Sequence, residues 1–303
     1  MPPDAAALDA ADALEWLRCA RSGDLAAAWK VSDKIRSREG RFRDWTLPRH
    51  QQSVWDGSSF EGRRVLIRCY HGLGDTIQFI RYAPCVRAVA REVTVWAQPS
   101  LLPLLGSAAG IDRVLPLHDG TPDCGCDLDV EIMELPYAFR STLSTIPAMV
   151  PYLHIDPMPL SGDAPRVGVV WRAGEWDPAR SIRFAEVRRL FDLHRVSWYA
   201  LQLDRTADER HPQLRDAPAG DMVSLARTIS ALHLVITIDS MPAHLAGALG
   251  VPVWTLLPKA ADWRWMEDRT DSPWYPTMRL FRQRDGGWAP VIGEVLDALA
   301  EVR

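Results

Sequence analysis

The chain has 303 residues, of which 24% are charged and 47% hydrophobic, and its formal net charge is -4. This length accommodates two domains of about 100–150 residues each, and the composition is that of a folded globular protein. The slight negative charge gives no electrostatic reason to expect nucleic acid or an anionic membrane as a partner. No apolar run reaches the roughly 18 residues that span a bilayer, and the N-terminus lacks the order of a signal peptide. We therefore predict a cytoplasmic protein without a transmembrane segment.

The first predicted elements are two helices between Ala7 and Glu39. Apolar residues recur at helical spacing on either side of the break Ser22-Gly23-Asp24. The pair has the size of one tetratricopeptide unit, which cannot bury its own apolar face. We expect this face to pack on the rest of the chain, on a second copy in a homo-oligomer or on an acceptor protein. The residues of the face are Leu14, Leu17, Leu25 and Val31. With the polar segment that follows, the hairpin makes up predicted region 1–55.

Strand and helix signals alternate through the rest of the chain, which predicts an α/β fold with parallel sheets. In region 56–158 the candidate strands are Val65–Cys69, Val93–Ala97, Arg113–Leu117 and Leu128–Ile132, with helices near Thr76–Val89 and Ser100–Ser107. Prolines between residues 147 and 159 predict a linker. In region 159–303 the candidate strands are Arg166–Trp171, Trp198–Gln202, Leu234–Ile238 and Val253–Leu257. The candidate helices there are Phe184–Leu193, Met222–Ala231, Pro242–Leu249 and Val291–Val302.

A loop with two glycines follows the first of these strands and reads His71-Gly72-Leu73-Gly74-Asp75. Gly72 and Gly74 can adopt positive φ and let backbone N–H groups approach a ligand closely. Asp75 has two interpretations, as the cap of the following helix or as a general base. His71 is a second candidate base.

Five cysteines are scattered through the chain, an odd number that favours a reducing compartment over a framework of disulfides. Cys124 and Cys126 flank one glycine near His118. A metal site and a plain surface turn are the two interpretations of this pair. The spacing is not that of a zinc pair and no second pair follows, which favours the turn.

A second loop, Asp239-Ser240-Met241-Pro242, follows strand Leu234–Ile238 and begins a helix whose N-terminus suits an anion. Ser240 and His244 are candidates to bind a phosphate, and a helix cap and a buried histidine are the alternatives. The guanidinium of Arg180 suits pyrophosphate, with a solvated charge cluster as the alternative. Gln202, at the end of its strand, is added to these candidates.

Thirteen tryptophans are present, and five of them crowd the C-terminal end. Most are expected in the core. Trp263 and Trp265 are flanked by charged residues and are expected to contact a ligand.

Several ordered motifs resemble the glycosyltransferase portion of bacterial tetratricopeptide-repeat proteins, which is similar to glycosyltransferase family 9, the heptosyltransferases. They cover roughly Asp56 to the C-terminus. The motifs are His71–Pro84, Val167–Trp171, Arg180–Ile182, Ile238–Trp254, Asp262–Trp265 and Ser272–Phe281. More distantly, the same region is similar to O-GlcNAc transferases.

The resemblance implies a GT-B fold, in which two Rossmann-like domains face a cleft. Region 56–158 would then hold the acceptor and region 159–303 the nucleotide-sugar donor, without a metal or a cofactor. Asp75 falls where the family places its base, and Arg180 falls near the donor phosphates. The donor-phosphate loop corresponds to Asp239, Ser240 and His244.

The function implied by the resemblance is that of a metal-independent inverting glycosyltransferase, with a nucleoside-diphosphate sugar as donor and a hydroxyl of a protein or glycan as acceptor. Two other functions remain open. One is a catalytically silent module of the same fold that binds a sugar nucleotide or a protein, and the other is a nucleotide-sugar epimerase.

Overall fold

The computed structural model describes residues 5–39, 45–161, 165–174, 177–218, 220–284 and 287–301. The chain divides into two compact units. The first unit comprises Met1–Leu102, Ala109–Ala148 and Asp262–Arg269, and the second comprises Pro103–Ala108, Met149–Ala261 and Thr270–Arg303. The domain limits given above stay predictions. The cleft that the resemblance implies also stays a prediction.

The N-terminal hairpin is confirmed, with helices α1 (Ala5–Arg21) and α2 (Leu25–Glu39). Gly23 makes the turn between them with φ +83°. The hairpin packs within the first unit, where the indole N–H of Trp29 donates to the backbone carbonyl of Ser141 at 2.7 Å. Leu25 and Val31 are buried there. Leu14 is 69% exposed in this chain, so its cover by a second copy or an acceptor protein stays a prediction.

The sheet of the first unit has four parallel strands in the order β3-β2-β1-β4. The strands are β1 (Arg64–Arg68), β2 (Glu92–Ala97), β3 (Arg113–Pro116) and β4 (Leu128–Glu131). The other helices that begin in this unit are α3 (Leu73–Phe79), α4 (Ala83–Val89), α5 (Leu102–Leu105) and α6 (Leu135–Ala138). The single helix predicted over Thr76–Val89 is interrupted by a 3₁₀ turn at Ile80–Tyr82. Pro84, in the first turn of α4, has no N–H with which to continue the preceding helix.

The sheet of the second unit has six parallel strands in the order β10-β9-β8-β5-β6-β7. The strands are β5 (Arg166–Val170), β6 (Ser197–Ala200), β7 (Leu214–Asp216), β8 (Leu234–Ile238), β9 (Val253–Leu257) and β10 (Met278–Arg282). The helices are α7 (Phe184–Val187), α8 (Met222–Ser230), α9 (Met241–Ala248) and α10 (Ala289–Glu301). The sequence did not predict β7 and β10. Both lie at sheet edges and carry exposed positions, so neither forms the apolar run typical of a buried parallel strand.

The central strands β8 and β9 are buried at every position, as expected for a parallel sheet covered on both faces. The predicted α/β class with parallel sheets is confirmed. Within the described ranges, no helix is both long enough and apolar enough to cross a membrane.

Candidate functional site

In the first sheet the strand order reverses beside β1. Strands β2 and β3 lie on one side of β1, and β4 lies on the other. The loops that follow the neighbouring strands β1 and β4 therefore lead away in different directions. In open α/β sheets, ligands bind at this reversal, outside the carboxyl ends of the strands. The loop that follows β1 contains His71 and Asp75, and β4 ends at Glu131.

Side chains from the neighbouring strands hold the loop after β1 in place. The amide of Gln98, which follows β2, donates to the carbonyls of Cys69 and His71 at 3.3 and 2.7 Å. From the other side, Glu131 accepts the backbone N–H of Tyr70 at 3.2 Å. The loop is therefore fixed before any ligand binds, which lowers the entropy cost of binding.

Neither glycine of this loop uses the positive φ that glycine allows. Gly72 has φ -68° and is the N-cap residue of α3, and Gly74 lies inside that helix. A Cβ on Gly72 would lie 3.2 Å from Oδ2 of Asp75, so the absence of a side chain there makes room for the Asp75 carboxylate.

Asp75 is the third residue of α3, not its N-cap. Its Oδ2 accepts the backbone N–H of Gly72 at 3.0 Å, which satisfies a donor at the start of the helix. Its Oδ1 lies 2.8 Å from Nη1 of Arg264. The side chain is 22% exposed, so the carboxylate is both fixed by the protein and accessible to solvent.

Arg264 reaches Asp75 from a 3₁₀ turn at Trp263–Trp265, far along the chain but within the first unit. Its Nη1 also donates to Oε1 of Gln78 at 2.8 Å, and its Nε donates to Asp262 at 2.9 Å. The side chain is only 8% exposed. One buried guanidinium thus joins a carboxylate and an amide of α3 to the late segment.

His71 lies beside Glu131, a residue to which the sequence analysis assigned no role. The Nε2 atom of His71 is 3.6 Å from Oε2 of Glu131. Glu131 is 2% exposed, and this burial raises its pKa to about 8. Burial lowers the pKa of His71, an effect that the negative charge of Asp75 opposes. Both shifts favour the uncharged forms of the two side chains.

The strand order of the second sheet also reverses, between β5 and β8. Arg180 follows β5, and its Nη1 donates to the backbone carbonyl of Asp239, which follows β8, at 2.9 Å. Ser240 is the N-cap residue of α9, and its side chain makes no capping hydrogen bond. The fold therefore brings Arg180, Asp239 and the N-terminus of α9 together.

Two other predicted donor residues hold parts of the second unit in place. The side chain of Gln202 accepts the backbone N–H groups of Trp171 and Arg172 at 3.3 and 2.9 Å, which fixes the start of the loop after β5. Residues 175–176 of that loop lie outside the described ranges. His244 is 4% exposed and its Nδ1 is 3.0 Å from the hydroxyl of Tyr275. His244 therefore lies where the alternative interpretation, a buried histidine with a hydrogen-bond partner, expects it. A contact between His244 and a ligand stays a prediction.

The tryptophans predicted to contact a ligand belong to the first unit. The ring of Trp263 is 5.3 Å from that of Trp16 in α1, so Trp263 packs against the hairpin. Trp265 is fully buried, and the expectation that it contacts a ligand is wrong.

Cys124 and Cys126, for which a metal site and a surface turn were the two interpretations, are paired in a disulfide with their Cα atoms 5.3 Å apart. Gly125 between them has φ +62°, as a tight turn requires. Cys19, Cys69 and Cys85 are free. Nowhere in the described ranges do three or more His, Cys, Asp or Glu residues cluster in a way that could hold a metal ion.

Known proteins resemble this chain in sequence and in fold. Protein FlbA of Caulobacter vibrioides is 25% identical over 95% of this chain, which spans 55% of that protein. The glycosyl transferase family 9 structure from Veillonella parvula has a TM-score of 0.54 and 12% identity over 81% of this chain and 91% of its own. The ADP-heptose lipopolysaccharide heptosyltransferase II of E. coli has a TM-score of 0.58 and 14% identity. The match covers 78% of this chain and 97% of the E. coli chain. No protein-family model matches the chain.

At these identities the structural comparisons establish a shared fold. The α/β fold with parallel sheets is similar to that of the heptosyltransferases. The chain also spans only about half the length of its curated relative.

Proposed function

We propose that this chain is a metal-independent inverting glycosyltransferase that moves a sugar from a nucleoside-diphosphate sugar to a hydroxyl of a protein or a glycan. The observation that carries the proposal is the group of residues at the strand reversal of the second sheet. There Arg180 contacts the turn at Asp239, next to the N-terminus of α9. A guanidinium beside helix N–H groups is suited to a diphosphate.

In this proposal the second unit stabilises the leaving group. As the bond between the anomeric carbon and the phosphate oxygen breaks, negative charge grows on the diphosphate. Fixed N–H donors of α9, the hydroxyl of Ser240 and the guanidinium of Arg180 would offset that charge. The hydroxyl of Ser240 does not cap the helix but donates to the backbone carbonyl of Ile238 at 3.3 Å, a contact that it would exchange for one to the phosphate.

The first unit supplies the base. Asp75 would take the proton of the acceptor hydroxyl, whose oxygen then attacks the anomeric carbon from the face opposite the diphosphate. Each carboxylate oxygen of Asp75 accepts one hydrogen bond from the protein and retains a further lone pair. Its two fixed donors hold the carboxylate in one orientation, which favours proton transfer in a defined geometry.

The donor base and sugar are proposed from the fold neighbours. The E. coli heptosyltransferase II carries ADP-heptose in its name, so ADP and ADP-sugars are the first ligands to test. The acceptor class stays open between protein and glycan.

Calorimetry with ADP, UDP, GDP and their sugars tests the donor site. We expect one nucleoside diphosphate to bind, and Arg180→Gln to weaken its binding at least tenfold. Arg183→Gln is the matched control, because Arg183 is 84% exposed and pairs with Glu186 three residues on. Equal affinities in the two variants would exclude the proposed role of Arg180. The double variant Ser240→Ala with His244→Ala tests the loop as a whole, and the two single variants then separate the loop hydroxyl from the buried imidazole.

A further inference from the structure

The strand reversal of the first sheet contains a histidine and a carboxyl group that face each other. Glu131 ends β4, and His71 lies in the loop after the adjacent strand β1. Oε1 of Glu131 accepts the N–H of Tyr70 at 3.2 Å, and Oε2 accepts that of Met133 at 2.7 Å. These bonds fix the carboxyl group with Oε2 at 3.6 Å from Nε2 of His71.

The His71 side chain is partly accessible to solvent. The side chain is 26% exposed, and Nδ1 makes no hydrogen bond to any part of the chain that the structure describes. One ring nitrogen of the imidazole thus lies beside a buried carboxyl group, while the other can accept a proton from a ligand. At 3.6 Å, Nε2 and Oε2 are beyond hydrogen-bond distance, so proton transfer between them requires the two side chains to approach each other.

Charged and titratable groups surround this pair on several elements. Asp75 of α3 and the late residue Arg264 act on His71 with opposite signs, and the ring of His50 lies 6.5 Å from that of His71. Glu134, three residues after Glu131, is half-buried, and desolvation raises its pKa as well.

We propose that His71 and Glu131 act as one acid–base pair, in which a proton accepted at Nδ1 of His71 is matched by transfer of the Nε2 proton to Glu131. The pair accepts a proton from the form that burial disfavours and that prevails above the pKa of Glu131 of about 8, which is ionised Glu131 with neutral His71 protonated at Nε2. It ends as neutral Glu131 with neutral His71 protonated at Nδ1. One proton is gained and one negative charge disappears, with no imidazolium left behind.

The source of the proton rests on the proposed function. Where Asp75 does not take it, the proton would come from the acceptor hydroxyl, whose oxygen keeps the electron pair and bonds to the anomeric carbon as the diphosphate departs. Glu131 is then a positioning and proton-storing residue that acts through His71. It forms, with His71, a second proton acceptor at the sheet edge that also holds Asp75.

The experiment is a pH titration of the full chain with ¹⁵N-labelled histidine, which reports the protonation of each ring nitrogen. We expect His71 to change from the Nδ1–H to the Nε2–H tautomer as pH rises through about 8, the value to which burial raises the pKa of Glu131. His71→Asn identifies the signal. A single tautomer of neutral His71 from pH 7 to pH 10 would overturn the proposal.

Two variants separate the pair from general effects of burial. Glu131→Gln is expected to abolish the tautomer change. Glu134→Gln is the control, because Glu134 is also a carboxyl group whose pKa desolvation raises and whose oxygens accept backbone N–H groups, among them those of Val54 and Trp55; since the charge of Glu134 raises the pKa of Glu131, the midpoint of the change should move to lower pH in this variant. The change is expected to persist in that variant. If Glu131→Gln does not fold, the wild-type titration alone still decides.

The titration needs neither donor nor acceptor, so its result is independent of the proposed function. A chain that transfers no sugar but shows the tautomer change supports the pair and refutes the transferase. An active transferase whose His71 shows no tautomer change supports the proposed function and refutes the pair.

Discussion

The ion pair between Arg264 and Asp75 makes a quantitative prediction about the stability of the first unit. Replacing Arg264 by Met keeps most of the side-chain volume but removes the guanidinium. Three acceptors then lose their donor: Asp75 at 2.8 Å, Gln78 at 2.8 Å and Asp262 at 2.9 Å. Removal of one partner of a buried pair costs about 3–5 kcal/mol. Because Asp75 and Asp262 are 22% and 33% exposed, water would replace part of the lost bonding, and we expect about 2–3 kcal/mol.

The measurement is urea unfolding followed by tryptophan fluorescence. The control is Arg87→Met, which breaks an exposed ion pair of the same unit, with side chains 43% and 35% exposed. Exposed pairs contribute about 0–1 kcal/mol, so the control should unfold nearly as the wild type does. If the two units unfold in separate transitions, only that of the first should shift. A loss of stability in Arg264→Met no larger than that in Arg87→Met would refute the conclusion that Arg264 stabilises the first unit through its buried contacts.

Three further predictions concern the base, the packing of the second unit and the buried carboxyl group. Asp75→Asn should lower turnover by about 10²–10⁴ in a steady-state assay and leave the donor affinity from calorimetry nearly unchanged; wild-type turnover would leave Asp75 as a helix cap only. Gly247→Ala should destabilise the second unit by about 1–3 kcal/mol in thermal unfolding, because the new Cβ would lie 2.4 Å from Tyr275. A Cβ added at Gly293 would meet nothing within 4 Å, so Gly293→Ala should stabilise α10 by about 0.5–1 kcal/mol. Equal effects of Gly247→Ala and Gly293→Ala would contradict the close packing of Gly247 against Tyr275. Folding raises the pKa of Glu131 from 4.5 to about 8, so the folded chain binds more protons than the unfolded chain between these values. The free energy of unfolding should therefore fall as pH rises from about 5 to about 8, by up to about 1.4 kcal/mol per pH unit, and Glu131→Gln should flatten this slope in urea titrations.

The sequence predicted best what depends on local pattern. Strands β8 and β9 match their predicted limits because both are continuous apolar runs bounded by turns. The strand and helix signals also predicted that His71 and Asp75 lie between β1 and the next helix or at the start of that helix. They did not predict the conformation of Gly72, because a glycine is compatible with many values of φ.

The contacts missed by sequence reasoning join distant parts of the chain. Arg264 lies 186 residues from Gln78, and no local pattern connects them. Glu131 was hidden inside a predicted strand that ran to Ile132, whereas β4 ends at Glu131. The sequence did show a carboxylate near the end of a predicted parallel strand. It could not show that β4 pairs with β1, which is what places Glu131 beside His71.

Product analysis is the measurement that tests the proposed function most directly. The chain would be incubated with the labelled sugar nucleotide that binds best in calorimetry and with protein and glycan acceptors, and the products analysed by mass spectrometry and NMR. We expect the labelled sugar to become attached to an acceptor hydroxyl with inverted anomeric configuration, with one nucleoside diphosphate released per sugar. A sugar nucleotide that is bound but recovered unchanged, or recovered with an epimerised sugar, would contradict the assignment as a glycosyltransferase.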